Sequence, residues 1–496
     1  MPKIKQTASQ HLRNLVNEFG SEIFSTDGQI LYCKLCETRV ASEKRFTVQQ
    51  HVTREKHKRV IALDHLKKQR LLQVKPLLTE GSCKFSLDLC EALISANIPL
   101  GKLINSKFRS FLETYTNKVI PNESTLRKNY VKICYEKTLE RIRVAVIGQK
   151  VWVSIDETTD VDGRHIANVV IGTLKIDSNS RIFLLNSEQL DKLNHSTICK
   201  LFDKSMHLLW PNGVQHDDVL LFLTDGAPYM IKAGNGMKCL YTKMLHVTCV
   251  AHGFHRVAEE IRSHYPIVDL LISNVKKVFL KSSLRIEKFK TLAPTLSLPP
   301  RPILTRWGTW LNAVNYYCDN FDILQNIVMN LDEDGSNCVK IAKDCFSNTS
   351  VRNDLSYIKS NFGFLPSTIL KLEQRGETLN NYLKLITAAD ESLNSNSGIL
   401  AKVIYSKFRN VIDKNTGLHV LNNIANVLSG VSSDLETLDY EINQSDLCHF
   451  IYAAITSVDV ERSFSMHKNV LANNRRSFLF ENLRMIFTVY CNNAED

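Results

Sequence analysis

Two short apolar runs stand out in the hydrophobic pattern of this chain, and both stop on an aspartate. Val219-Leu220-Leu221-Phe222-Leu223-Thr224 is apolar at successive rather than alternate positions, the pattern of a strand buried on both faces. Asp225-Gly226-Ala227-Pro228 then ends it abruptly. Upstream, Val151-Trp152-Val153-Ser154-Ile155-Asp156 repeats the arrangement. Further strands are predicted over 166–176 and 181–190, separated by polar turns at 160–164 and 177–180. A helix follows over 196–210, then the strand 219–225, a helix over 229–244, a short strand at 246–250 and a helix from Ala251.

Three consecutive strands, helix, strand, helix, strand, helix is the order of an RNase H-like sheet, in which the first and fourth strands are parallel neighbours. That pairing sets Asp156 beside Asp225, at the strand ends where α/β sheets place their ligands. Adjacent carboxylates repel, and a shared cation is the usual way to keep both ionised near neutral pH. The plain alternative is that each aspartate is a turn former or helix cap. Their matching positions on two strands predicted to be adjacent favour the metal site, one suited to phosphate chemistry. Elsewhere the pattern is helical. Residues 83–148 read as helices broken at Pro99 and Pro121, with Ser124 capping a helix over 125–146. Residues 265–445 are helical apart from a Pro-rich break at 294–302 and an acidic turn at 331–335, and a last helix is predicted over 480–491. The expected fold class is α/β plus all-α, a mixed sheet interrupted by a helical insertion.

Composition changes this picture at one end of the chain. The 496 residues are 44% hydrophobic and 23% charged, ordinary for a globular protein and enough for two or three domains. No apolar run approaches the roughly 20 residues needed to cross a bilayer, and the first residues lack a secretory core, so an intracellular protein is expected. Thirteen scattered cysteines, an odd number, point away from a secreted disulfide framework. Of the net charge of +11, residues 1–80 hold 15 Lys and Arg against 8 Asp and Glu, which suggests a polyanionic partner, nucleic acid by default.

Within that basic segment, Cys33-x2-Cys36-x14-His51-x5-His57 has the ligand types and spacing of a tetrahedral Zn2+ site. A strand leading into the Cys-x-x-Cys turn and a helix carrying the histidines complete a small CCHH finger, which zinc would largely fold. Arg45, Arg54, Lys56, Lys58 and Arg59 on or beside the helix suit phosphates of double-stranded DNA; a structural or protein-binding finger is the other reading.

Three further features carry two readings each. Glu461, in the first turn of a helix following Ser457, is either a third acid for the aspartate pair or a residue that complements the helix dipole. Cys249 and His252 follow the fifth strand; two ligands make a poor metal site, so they are read as structural, a buried thiol and an orienting histidine. Arg306-Trp307 and Trp310 offer a cation beside aromatic faces that can hold an unstacked base, or a core tryptophan beside a surface arginine.

From Val151 onward the chain resembles the hAT transposase superfamily. The resemblance rests on Ser154-Ile155-Asp156, Thr224-Asp225-Gly226-Ala227-Pro228-Tyr229-Met230, His246 to His252, Thr305-Arg306-Trp307, and Val460-Glu461-Arg462-Ser463-Phe464-Ser465. Residues 10–135 are similar to the CGG triplet-repeat-binding protein family, which shares the CCHH finger, Ala96-Asn97-Ile98-Pro99-Leu100, Phe111-Leu112 and Leu126-Arg127. The resemblance implies that Asp156, Asp225 and Glu461 form a catalytic triad holding Mg2+ or Mn2+. It implies that Arg306 and Trp307 steady a flipped base, and that the C-terminal residues belong to a dimerisation region, making a homo-oligomer. Two Mg2+ ions would activate water or a 3′-hydroxyl, while the protein does the positioning.

The expected organisation is a BED-like CCHH finger over 1–75, a helical region over 76–150, the first part of the RNase H-like core over 151–264, the helical insertion over 265–445, and completion of the core with the dimerisation region over 446–496. The expected function is that of a nuclear, DNA-binding, hAT-type transposase with a metal-dependent cleavage and strand-transfer site. The alternative is a transposase-derived transcription regulator without nuclease activity. An RNA-cleaving enzyme fits the fold but not the Arg306-Trp307 and Glu461 blocks. Lys56-His57-Lys58-Arg59 with Lys67-Lys68 is the one basic cluster that could serve as a nuclear address.

Overall fold

The structure, a computed structural model, describes residues 8–36, 38–54, 57–58, 80–160, 163–178, 180–280, 282–302, 308–333, 335–431, 441–471 and 479–493. The chain divides into two compact units, one of residues 1–89 and 110–120 and the other of residues 90–109 and 121–496.

In the first unit, helix Ala8–Phe19 precedes three short antiparallel strands, β1 (Phe24–Thr26), β2 (Leu31–Cys33) and β3 (Thr38–Val40). Leu12 and Leu15 lie three residues apart on the helix and are buried with Phe24, Leu31, Cys33, Val40 and Val48 in one small core. The β1–β2 turn is fixed by Asp27, whose Oδ1 accepts from the backbone N–H of Gln29 and Ile30, each at 2.9 Å. Helix Arg45–Thr53 buries Val48 in that core.

The second unit is built on a five-stranded mixed sheet. Strands β4 (Lys150–Thr159), β5 (His165–Leu174) and β6 (Ile182–Leu190) form an antiparallel meander, and β7 (Val219–Thr224) and β8 (Leu245–Thr248) extend it in parallel. The order β6-β5-β4-β7-β8 makes the first and fourth strands parallel neighbours, with Ser154 opposite Leu223. β4 runs past Asp156 to Thr159, beyond the expected strand end, because β5 continues to pair with it as far as His165. Every residue of β7 is buried, as its unbroken apolar run requires. Gly172 on β5 faces Trp152 on β4, and a Cβ there would lie 2.3 Å from the indole, so the glycine makes room for the largest side chain of the sheet core.

Helices carry the rest of the unit. One continuous core runs from Trp152, Val170 and Leu221 through Phe254 and Val257 to Trp310, Tyr317, Phe362 and Phe408. Residues 265–445 are helical where described, with the expected breaks between Leu292 and Thr309 and between Met329 and Asn337. The helix expected over 125–146 is two helices, Glu123–Asn129 and Val131–Val146, meeting at Tyr130. The first starts before Ser124: the Asn122 carbonyl accepts from Leu126 N–H, and Glu123 in the first turn pairs with Arg127. Among the described residues, no helix is long and apolar enough to cross a membrane.

Candidate metal centres

In the first unit, Cys33, Cys36, His51 and His57 each present a ligand atom within 4.8 Å of the others. The two thiols come from β2 and its turn, where the Cys36 N–H donates to Cys33 Sγ at 3.4 Å. His57 Nδ1 lies 3.0 Å from Cys36 Sγ and 3.7 Å from Cys33 Sγ. The His51 and His57 rings are 4.8 Å apart, and Phe24 stacks on His57. Burial pushes both imidazoles below their ordinary pKa, which favours the neutral form that binds metal. Nε2 of His51 is buried without a hydrogen-bond partner, a cost that ligation through that atom would remove, while His57 turns Nδ1 to the thiols. This buried Cys2His2 group can hold zinc.

Of the finger's expected DNA contacts, Arg54 and Lys58 are exposed. Arg45 is held by Glu18 and lies over the Phe19 ring, an engagement across the finger that sequence spacing does not show. Lys56 and Arg59 lie outside the described residues, as do Arg306 and Trp307. Trp310 is described and buried, with Nε1 donating to Asp269 Oδ1 at 3.0 Å, so for this residue the core reading holds.

In the second unit, Asp156, His252 and Glu461 present ligand atoms within 4.8 Å of one another. Asp156 is on β4, His252 is in the first turn of helix Val250–Ser263, and Glu461 is in the first turn of helix Val458–Val470. The segment bearing Glu461 is docked in three places. Ile455 O accepts from Val250 N–H at 3.0 Å, Ser457 N–H donates to Cys249 Sγ at 3.1 Å, and Asn168 Nδ2 on β5 donates to Ser463 Oγ at 2.8 Å. Asp459 is held by Arg375 and Arg462, each at 2.8 Å. Ser457 Oγ lies 3.4 Å from His252 Nδ1, while His252 Nε2 is 3.7 Å from Glu461 Oε1. The buried Cys249 thus anchors the late helix, and His252 sits directly among the acids.

Asp225 follows β7, beside β4, and its charge is felt by Asp156. Its Oδ1 accepts from Ala227 N–H at 2.9 Å, closing the turn, and Arg256 donates to its carbonyl oxygen. Glu157, which the sequence did not single out, is bonded by the Tyr229 hydroxyl through Oε1, and its Oε2 is buried without a partner. Burial, then the neighbouring Glu461 and Asp225, push Asp156 well above the ordinary carboxylate range. Burial pushes Glu461 upward too, and burial with Asp225 and Glu461 pushes Glu157 to about 7. A divalent cation would relieve such crowding. A cleft of about 1010 Å³ opens over it, lined by Glu157, His252, His255, Glu461, Arg462 and Lys468 among others.

The turn is supported from beneath by His246 on β8, whose Nε2 lies 2.9 Å from Thr224 Oγ1, next to Asp225. Burial, helped by Lys238, pushes its pKa down to about 4. A base depressed on folding stabilises the fold fully above its unfolded pKa near 6.5, and that contribution is lost as pH falls toward 4. The linked stability is roughly 3 kcal/mol. Urea denaturation of wild type and His246→Gln at pH 7 and pH 4.5 should therefore show the gap between them narrowing at the lower pH.

Comparison with known families adds two matches. Residues 121–278 match the Domain of unknown function (DUF659) family, a stretch that includes all five strands, Asp156, Asp225 and His252. Residues 5–62 match the CGGBP1 N-terminal domain, which spans all four cysteine and histidine ligands. No curated protein matches the chain. The chain thus carries one region similar to the CGGBP1 N-terminal domain and another similar to DUF659, and neither match spans half of it.

Proposed function

We propose that this is a nuclear, double-stranded-DNA-binding protein of hAT transposase type, with an RNase H-like core that cleaves and joins phosphodiesters. The observation that carries the reading is that Asp156 and Glu461, from opposite ends of the second unit, meet with His252 under an open cleft. The sheet order and parallel β4–β7 pair support the RNase H-like assignment. The finger over 1–75 supplies duplex binding through Arg45, Arg54, Lys56, Lys58 and Arg59. Residues 76–150 form a helical region, 151–264 and 446–496 the two parts of the core, and 265–445 the insertion, with the C-terminal segment serving a homo-oligomer. Arg306 and Trp307 retain their proposed role beside an unstacked base.

Asp156, Asp225 and Glu461 would hold Mg2+ or Mn2+, with His252 within ligand reach. A divalent ion there supplies positive charge to the reacting phosphate. The residues do the rest. Ser457 and Glu461 orient the His252 ring, Tyr229 holds one oxygen of Glu157, and Ala227 N–H with Arg256 fixes the Asp225 turn. Purified protein with Mg2+ or Mn2+ should nick or join DNA bearing its terminal repeats, and Asp225→Asn should abolish this while leaving duplex binding intact. A protein that binds duplex but never cuts would be the transcription regulator, with the nuclease fold kept as a scaffold.

A further inference from the structure

A second cavity, of about 420 Å³, is walled on one side by Gly226 of the Asp225–Gly226 turn. Its walls are the turn itself at Gly226, the end of β8 at Thr248, helix Val250–Ser263 at Arg256, and helix Ile399–Asp413 with its cap at Lys407, Asn410 and Lys414. Among the described residues, three cations line it and no carboxylate does. Its position is set by the backbone. Asn415 clamps the end of β8 through Thr248 N–H at 3.1 Å and Thr248 O at 2.7 Å, and Lys407 is steadied by Glu260 at 3.0 Å. Gly226, at φ +81°, keeps the mouth open: a Cβ there would come within 3.1 Å of Arg256 Nη2 and 3.3 Å of Thr248. His252 and His255 face the acid cleft while Gly253 and Arg256 face this cavity, so one helix turn separates a site of negative charge from one of positive charge.

A polyanion entering the acid cleft meets Glu157 and Glu461 in its lining, which repel it, and Arg462 and Lys468, which attract it. A further concentration of cations close by strengthens its hold. We propose that the cavity binds a phosphate group of a single nucleic-acid strand, one whose adjoining phosphodiester lies over the acids. Arg256 bridges this phosphate to the Asp225 carbonyl, so seating the strand also fixes the turn that carries Asp225. The proposal rests on reading the acid cleft as a nucleic-acid site.

The test is binding of a fluorescent oligothymidylate to the full-length protein without added Mg2+ or Mn2+, competed with inorganic pyrophosphate. In the Lys407→Gln/Lys414→Gln double variant, oligonucleotide affinity should fall about tenfold and the slope of log affinity against log salt by roughly one. Pyrophosphate should compete with the oligonucleotide on the wild type but lose that competition on the double variant. Lys402→Gln removes a charge from the same helix outside the cavity and should leave affinity within twofold. Unchanged oligonucleotide affinity in the double variant would overturn the proposal, and so would loss of pyrophosphate binding alone, which would assign the cavity to a free phosphate ligand. Because no cleavage is measured, a protein that binds here but never cuts would refute the nuclease reading and leave this one standing.

Discussion

Asp156→Asn is expected to leave the second unit at least as stable as wild type without added metal, and to erase its stabilisation by Mn2+. Asp156 is buried, and desolvation with the charges of Glu461, Asp225 and Glu157 holds its pKa well above the carboxylate range. A carboxyl group whose pKa is raised on folding opposes folding once the pH exceeds its unfolded value. Asparagine keeps the shape and removes that charge. The same substitution removes the ligand through which a cation would offset the crowding. At a hundred times its Kd, Mn2+ should stabilise the wild type by about 2.7 kcal/mol and the variant by nothing measurable. Urea denaturation with and without MnCl2 reads both effects. Equal stabilisation of the two proteins would place the ion elsewhere.

Cys36→Ser should unfold the finger and lower affinity for duplex DNA by about a hundredfold or more at moderate salt. The finger's core is seven buried residues, one of them the ligand Cys33, too small to hold the fold alone. His51 Nε2 is buried without a hydrogen-bond partner, and His57 Nδ1 lies 3.0 Å from Cys36 Sγ, so without an ion the crowded donor set has nothing to hold it together. Zinc content by mass spectrometry should fall from one ion to none. The cooperative unfolding of the second unit should be unchanged, since its core is separate. Retention of duplex affinity after zinc loss would remove the finger from DNA binding.

What the sequence made legible was local. The spacing of Cys33, Cys36, His51 and His57 is readable because all four lie within one short module. The buried strands announce themselves by unbroken apolar runs that end in Asp156 and Asp225. Their adjacency followed from element order, because short connections leave few ways to pair consecutive strands. Glu461 was different. Nothing in its own turn distinguishes it from an acid complementing a helix dipole, and only family resemblance brought it to the aspartates. Its placement depends on Cys249, Ser457, Asn168 and Ser463, long-range contacts that leave no periodic trace. His252 read as a structural residue because two ligands close in sequence make a poor site; the acids it meets, Asp156 and Glu461, come from a distant strand and a distant helix. Helix Ala8–Phe19 carries a readable stripe in Leu12 and Leu15, both buried in the finger's core. The pairing of Arg45 with Glu18 had no sequence signal at all.

In the proposed site Asp156, His252 and Glu461 gather around one divalent cation, with Asp225 as a further acid. Anomalous diffraction at the manganese edge from crystals grown with MnCl2 tests it directly. A peak is expected between the Asp156 and Glu461 carboxylates, absent from Asp156→Asn crystals. Manganese bound only elsewhere, or an electron density map with Glu461 turned away from Asp156, would contradict it.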